Sequence, residues 1–240
     1  MKKILILAAM AAILASRSFG GESSFSDAQV RRALNLIYDC FEGPHRSAVN
    51  ALFAQDMNYD TNQFVRVAKE MAEADEYIAP ALTIISKYDL QQGIPYLYGY
   101  ATNENNKVAF TACHLILERE GLTSNSVAAV ETFLSTTNAS REAAYYRCEL
   151  CRDALHQVSG ESATEDLRLR VMRSALSYAL RDGSHVASVD GYIMAFDSAY
   201  QYSSNRLEVL RSSLEWNIND YQRNYVTNAI HEIEAQLPPE

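Results

Sequence analysis

Between Tyr96 and Leu237 the chain contains no proline. Proline fixes φ and removes a backbone donor, so a long stretch without it lets helix follow helix with only short breaks. The apolar residues fall at helical spacing. Val30, Leu34, Ile37, Tyr38 and Phe41 recur every three or four positions, and so do Phe64, Val67, Ala68 and Met71. Strand-like alternation is nearly absent. Tyr96, Tyr98 and Tyr100 do alternate, but Pro95 just ahead of them suits the first turn of a helix. The expected fold class is all-α.

Boundary signals divide this pattern into elements. Ser26 with Gln29 makes a capping-box start, and Gly43-Pro44 makes a stop. A helix is expected over 47–56. Asp60 with Gln63 opens the next, and another covers 77–89. Shorter and longer helices then alternate over 94–102, 106–120, 125–136, 140–157, 164–181, 184–201, 205–218 and 221–236, with Ser162 and Glu165 as a further capping box. Gly93, Gly121 and Gly160 fall between successive pairs, where glycine can take the left-handed conformation that ends a helix. The linkers within pairs (103–106, 138–140, 182–184 and 219–220) are short and polar, which forces the paired helices antiparallel.

The linkers can be aligned on Asn103, Asn138, Asp182 and Asp220, at spacings near 40 residues. Nine positions later stand Ala112, Arg147, Gly191 and Ala229, three of them small. Five positions after each anchor stand Val108, Ala143, Ala187 and Tyr225, and six before stand Leu97, Thr132, Leu176 and Leu214. Helical hairpins at an uneven period near 40 are the pattern of an α-solenoid.

Here the chain resembles the HEAT repeat family, best over residues 94–119. Ile94-Pro95-Tyr96-Leu97, the turn at Asn103, and then Val108, Ala112 and Ile116 follow the family's Ile-Pro-x-Leu opening, polar turn and apolar spine. Asn103 stands where the family usually has Asp, and Ala109 where it usually has Arg. The other units match loosely, and residues 21–92 match only in helical character. The resemblance implies stacked antiparallel hairpins in a right-handed solenoid, with 21–60 as an N-terminal cap and 61–237 as the stack. The alternative is a non-repetitive helical bundle. It also implies a binding role, with protein as the usual partner.

The first twenty residues read as a secretory signal peptide, leaving 21–240 as a single mature domain. Lys2 and Lys3 precede an apolar run from Ile4 to Leu14, and the small residues Ser16, Ser18 and Gly20 follow. That run is shorter than the roughly 20 residues a spanning helix needs, and no later segment is apolar enough to span. Export to the periplasm or beyond is expected. Removing Lys2, Lys3 and Arg17 leaves 18 basic residues against 30 acidic, a balance of −12. An acidic surface repels phosphate backbones, so nucleic acid is not an expected partner.

No catalytic constellation, metal-ligand spacing or cofactor fingerprint stands out. Cys148-Glu149-Leu150-Cys151 is a CxxC, but Cys148 lies about two turns inside a helix, away from the N-terminal dipole that activates a thiolate. Export into an oxidising compartment allows a disulfide instead. Cys113 and Cys148 share one register, ten residues past Asn103 and Asn138, so a bridge from Cys113 to Cys148 or Cys151 is one expectation and buried free thiols the other. The five histidines form no metal-binding pattern. Fifteen tyrosines, among them Tyr145-Tyr146, Tyr192, Tyr200, Tyr202, Tyr221 and Tyr225, suit either an interface or the edge of a helical core. The sequence thus points to an exported, non-enzymatic scaffold or adaptor that binds another protein, with no cofactor. The alternatives are an enzyme with dispersed active residues in a polar pocket and a structural envelope component.

Overall fold

A computed structural model describes residues 26–32, 61–89, 91–136, 140–158, 163–181 and 203–236. Every regular element among them is helical, and residues 27–32 are helical as well. In chain order the elements are α1 (Thr61–Glu73), α2 (Ile78–Tyr88), α3 (Gly93–Tyr98), α4 (Asn106–Glu120), α5 (Ser124–Ser135), α6 (Arg141–Gln157), α7 (Glu165–Arg181), α8 (Ser203–Ser213) and α9 (Asp220–Gln236). The signal segment, the stop at Gly43-Pro44, the helix over 47–56, Asp60, Ser162 and the helix over 184–201 lie outside the described residues. The chain divides into two compact units, 1–93 and 94–240.

Side-chain caps start most of the helices. Ser26 and Gln29 form the reciprocal box: the Ser26 N–H donates to Gln29 Oε1 at 2.8 Å and the Gln29 N–H to Ser26 Oγ at 3.4 Å. Asn105 caps α4, its Oδ1 accepting from the Lys107 and Val108 N–H groups. Thr123 and Ser126 cap α5 reciprocally, with serine where glutamate is usual, and Ser140 caps α6. Asn219 and Gln222 exchange bonds of 2.9 Å at the head of α9. Gln63 Nε2 donates to Asp27 Oδ1 on the helical segment 27–32, at 2.8 Å.

Two boundaries differ from the sequence reading, each for a local reason. Gly93 opens α3 rather than ending a helix in the left-handed region. A Cβ there would stand 2.9 Å from the Ile85 carbonyl oxygen, so close backbone approach is what requires glycine. Gly121 does take positive φ, at 62°, and ends α4. The turn between α1 and α2 lacks glycine, and Asp75 and Tyr77 adopt positive φ instead. Finally, α8 stops at Ser213, where Leu214, Glu215 and Trp216 bond back by three-residue turns rather than continuing to 218.

In the first unit α1 lays Phe64, Val67, Ala68 and Met71 against α2, whose Leu82 and Ile85 are fully buried. In the second unit the contacts follow a regular order. Helix α4 packs on α5 and α6, α5 on α6 and α7, α7 on α6 and α8, and α8 on α9. Helices α4 and α5 thus each meet the next helix and the helix two ahead. Leu97, Ile116, Leu117, Leu150, Leu155 and Met172 are fully buried in this unit. The aligned positions divide. Val108, Ala143, Ala112, Arg147, Ala229, Leu97 and Leu176 are buried, Tyr225 and Leu214 half-buried, and Thr132 exposed.

Lys69 and Asp89 tie the far end of α2 back to α1, Nζ to Oδ2 at 2.8 Å. Burial opposes the Asp89 charge, but hydrogen bonds from Lys69 and the Gln92 N–H outweigh it and hold the carboxyl below its ordinary 3.8. A lowered folded-state value stabilises above the unfolded value and is lost as pH falls through the folded one. Asp89→Asn should therefore cost about 1–2 kcal/mol at pH 7. In urea unfolding the gap to wild type should close as pH falls below 3.8.

Candidate interaction face

Helices α4 and α6 pack on each other, and Val108, Ala112, Cys113, Ala143, Leu150 and Cys151 on them are buried. At the edge of the contact, residues one turn apart on each helix meet across the groove. The Phe110 ring stacks on Tyr146 at 5.2 Å between centroids and on His114 at 5.8 Å. Tyr145 meets Tyr146 edge-on at 5.5 Å. The four rings form one continuous row from α6 across to α4.

A charge pair ends the row. His114 Nδ1 lies 2.7 Å from Asp153 Oδ2, with the imidazole 42% exposed and the carboxylate 21%. Arg152 Nε reaches Asp153 Oδ1 at 4.0 Å, while its other nitrogens hold Glu149. Tyr145 is 59% exposed, and Phe110 and Tyr146 are half-buried. Among the described tyrosines only Tyr77 and Tyr221 are exposed to a similar degree, and neither belongs to a described ring cluster. Tyr96, Tyr98, Tyr100 and Tyr225 are half-buried and Tyr178 is buried, so most of the described tyrosines edge the core. The sequence offered Tyr145-Tyr146 as interface candidates. It did not offer Phe110, His114 or Asp153, because their meeting depends on a contact between residues up to 39 apart.

The cysteines sit beneath this face. Cys113, Cys148 and Cys151 are thiols, the first and last buried and Cys148 half-buried. Cys113 Sγ points at the carbonyl oxygens of Ala101, at 3.8 Å, and Ala129, at 3.9 Å. Burial pushes its thiol up to about 12. Among the described residues no cluster of three His, Cys, Asp or Glu side chains is arranged to hold a metal ion.

The first unit carries an open cleft of about 400 Å³, lined by Asn62, Arg66, Lys69, Glu73, Tyr88 and Asp89 with their neighbours. Its charges serve one another. Arg66 bridges Asp27 and Glu70 at 2.7 Å each, and Lys69 holds Asp89. The Arg66 guanidinium first, and the Gln63 amide second, hold the Asp27 carboxyl below its ordinary value. Carboxyls shifted downward are poor general acids and weak bases at neutral pH, where efficient catalysis wants values near 7. No family model, curated protein or solved structure matches the chain. Among the described residues no helix is long and apolar enough to cross a membrane.

The thiols give a direct check. In the native chain Cys113 and Cys151 should react with a soluble disulfide reagent at pH 8 at least about a hundredfold more slowly than in the unfolded chain. Non-reducing peptide mapping that returns Cys113 joined to Cys148 or Cys151 would contradict the thiol state.

Proposed function

We propose that residues 94–240 form a HEAT-like right-handed solenoid, and that the chain is an exported scaffold binding another protein through the face made by α4 and α6. One observation carries the reading. Polar links between helices recur at two sequence offsets. Links between equivalent members of neighbouring hairpins span 35 to 40 residues: Arg173 to Glu208, His114 to Asp153, Arg170 to Glu131 and Asn205 to Glu165. Links within a hairpin span 22 or 23: Tyr98 to Glu120 and Arg211 to Glu234. A stack of hairpins produces both offsets, because each helix lies beside its partner in the hairpin and beside its equivalent in the next. A bundle closed on itself has no reason to repeat either.

Comparable offsets occur within the first unit, in Arg31 to Glu70 at 39 residues and Lys69 to Asp89 at 20. This favours extending the hairpin pattern through 61–93, beyond the segment where the family resemblance is best. The choice of face follows from the difference between the two layers. Helices α5, α7 and α8 carry Glu131, Arg170, Arg173 and Glu208, already tied in ion pairs. Helices α4 and α6 present aromatic surface, the chemistry enriched at protein interfaces and depleted on ordinary surfaces. Arrays of this kind offer extended binding surfaces without implying catalysis. The N-terminal signal pattern supports export, and the acidic balance favours protein over nucleic acid as partner.

Tyr145→Ala tests the face without disturbing the core, since that ring is exposed. With immobilised mature chain and an envelope extract, at least one protein should be retained by wild type and by Tyr221→Ala. Its affinity for Tyr145→Ala should be about tenfold or more weaker. Equal retention by all three chains, or a turnover activity that Tyr145→Ala leaves intact, would overturn the assignment.

A further inference from the structure

The links between neighbouring hairpins are not chemically alike. Arg170 with Glu131 and Arg173 with Glu208 join α7 to α5 and α8, and both pairs keep their charges across the neutral range. Between α4 and α6 stands the His114–Asp153 pair, and histidine is the side chain that titrates between pH 5 and 8. The pair stands where the two helices meet, with the Phe110 ring stacked against the imidazole.

The charged surroundings of His114 are few. From α6 come Asp153, in contact, then Arg152, which is drawn to Glu149, and Glu149 itself. Its own helix places exposed Glu118 one turn on and half-buried Lys107 two turns back. Helix α5, the other helix packed on α4, has Glu131 as its titratable group, and Arg170 occupies it. The nearest opposite charge to a protonated His114 is therefore Asp153.

We propose that this pair makes the α4–α6 contact a pH-responsive joint. A proton taken from solvent turns the imidazole into an imidazolium while Nδ1–H continues to donate to Asp153 Oδ2. A hydrogen bond from a neutral imidazole to the carboxylate becomes an ion pair charged on both sides, and the cation also gains from the Phe110 ring face. Release of the proton above neutrality leaves the weaker bond. The added stability is present on the acid side of histidine titration and is lost as pH rises through it, the sign expected when a histidine gains an anionic partner in the fold. This concerns regulation of the face assigned above to binding, but its test needs no binding partner.

A double-mutant cycle on the full chain isolates the pair: wild type, Asp153→Asn, His114→Gln and the double variant, melted at pH 5.5 and pH 8. Titration of other groups cancels in the cycle. The coupling between the two residues should be worth about 2 °C in melting temperature at pH 5.5 and less than half that at pH 8. Equal coupling at both pH values, or none at either, would overturn the proposal. Should a variant fail to fold, wild-type hydrogen exchange gives the same answer. Corrected for intrinsic rates, amides of α4 and α6 should gain protection at pH 5.5 relative to those of α7 and α8. No such differential would refute the joint.

Discussion

Burial of α4 and α5 each between the next helix and the helix two ahead is the constraint on which the second unit rests. A single antiparallel hairpin has apolar residues on more than one face and cannot cover them alone. Helix α4 shows the consequence. Val108, Ala109, Ala112, Cys113, Leu115, Ile116 and Leu117 are all buried, seven of its 15 residues, because α5 covers one side and α6 another. Full burial of a side chain of that size contributes about 1.5–3 kcal/mol relative to exposure. Against that, an exposed ion pair such as Arg173–Glu208 contributes about 0–1 kcal/mol. The polar links report the arrangement and set its register; the apolar stripes hold it together.

That division of labour explains what a substitution can change. Arg147 occupies a position that is small in its aligned counterparts Ala112 and Ala229, yet it is buried, and its guanidinium donates to the Thr136 hydroxyl at the end of α5. A long side chain is accommodated there because its tip reaches a polar group at a helix end, where backbone and hydroxyl acceptors collect. Tyr98 follows the same logic. Burial first, and the Glu120 carboxylate second, hold its phenol above the ordinary value, and its hydroxyl fastens α3 to the end of α4 at 2.7 Å. The polar groups that enter the packing do so at helix termini, which leaves the mid-helix surfaces of α4 and α6 to the aromatic row.

Much of this was legible in the sequence. The predicted span 106–120 coincides with α4, and 140–157 and 221–236 differ from α6 and α9 by a residue, because spacing and capping residues are local signals. What was not legible depends on distance or backbone geometry. Gly93 reads as a helix stop until the Ile85 carbonyl is seen against it. Tyr77 carries no turn signature, and only the tight link between α1 and α2 forces its positive φ. His114 and Asp153 are unremarkable residues on separate helices until the packing of α4 on α6 brings them together. The register alignment found small and apolar positions but could not tell that Thr132 faces solvent, since a period near 40 leaves rotation about the helix axis undetermined.

A crystal structure of residues 21–240 would test the stacking claim most directly. The account predicts two layers, with α4 beside α6 in one and α5, α7 and α8 in succession in the other. It also predicts that His114 stays on Asp153 and Arg170 on Glu131. Helices converging on one shared centre, with those pairs apart and the offsets near 40 lost, would contradict it.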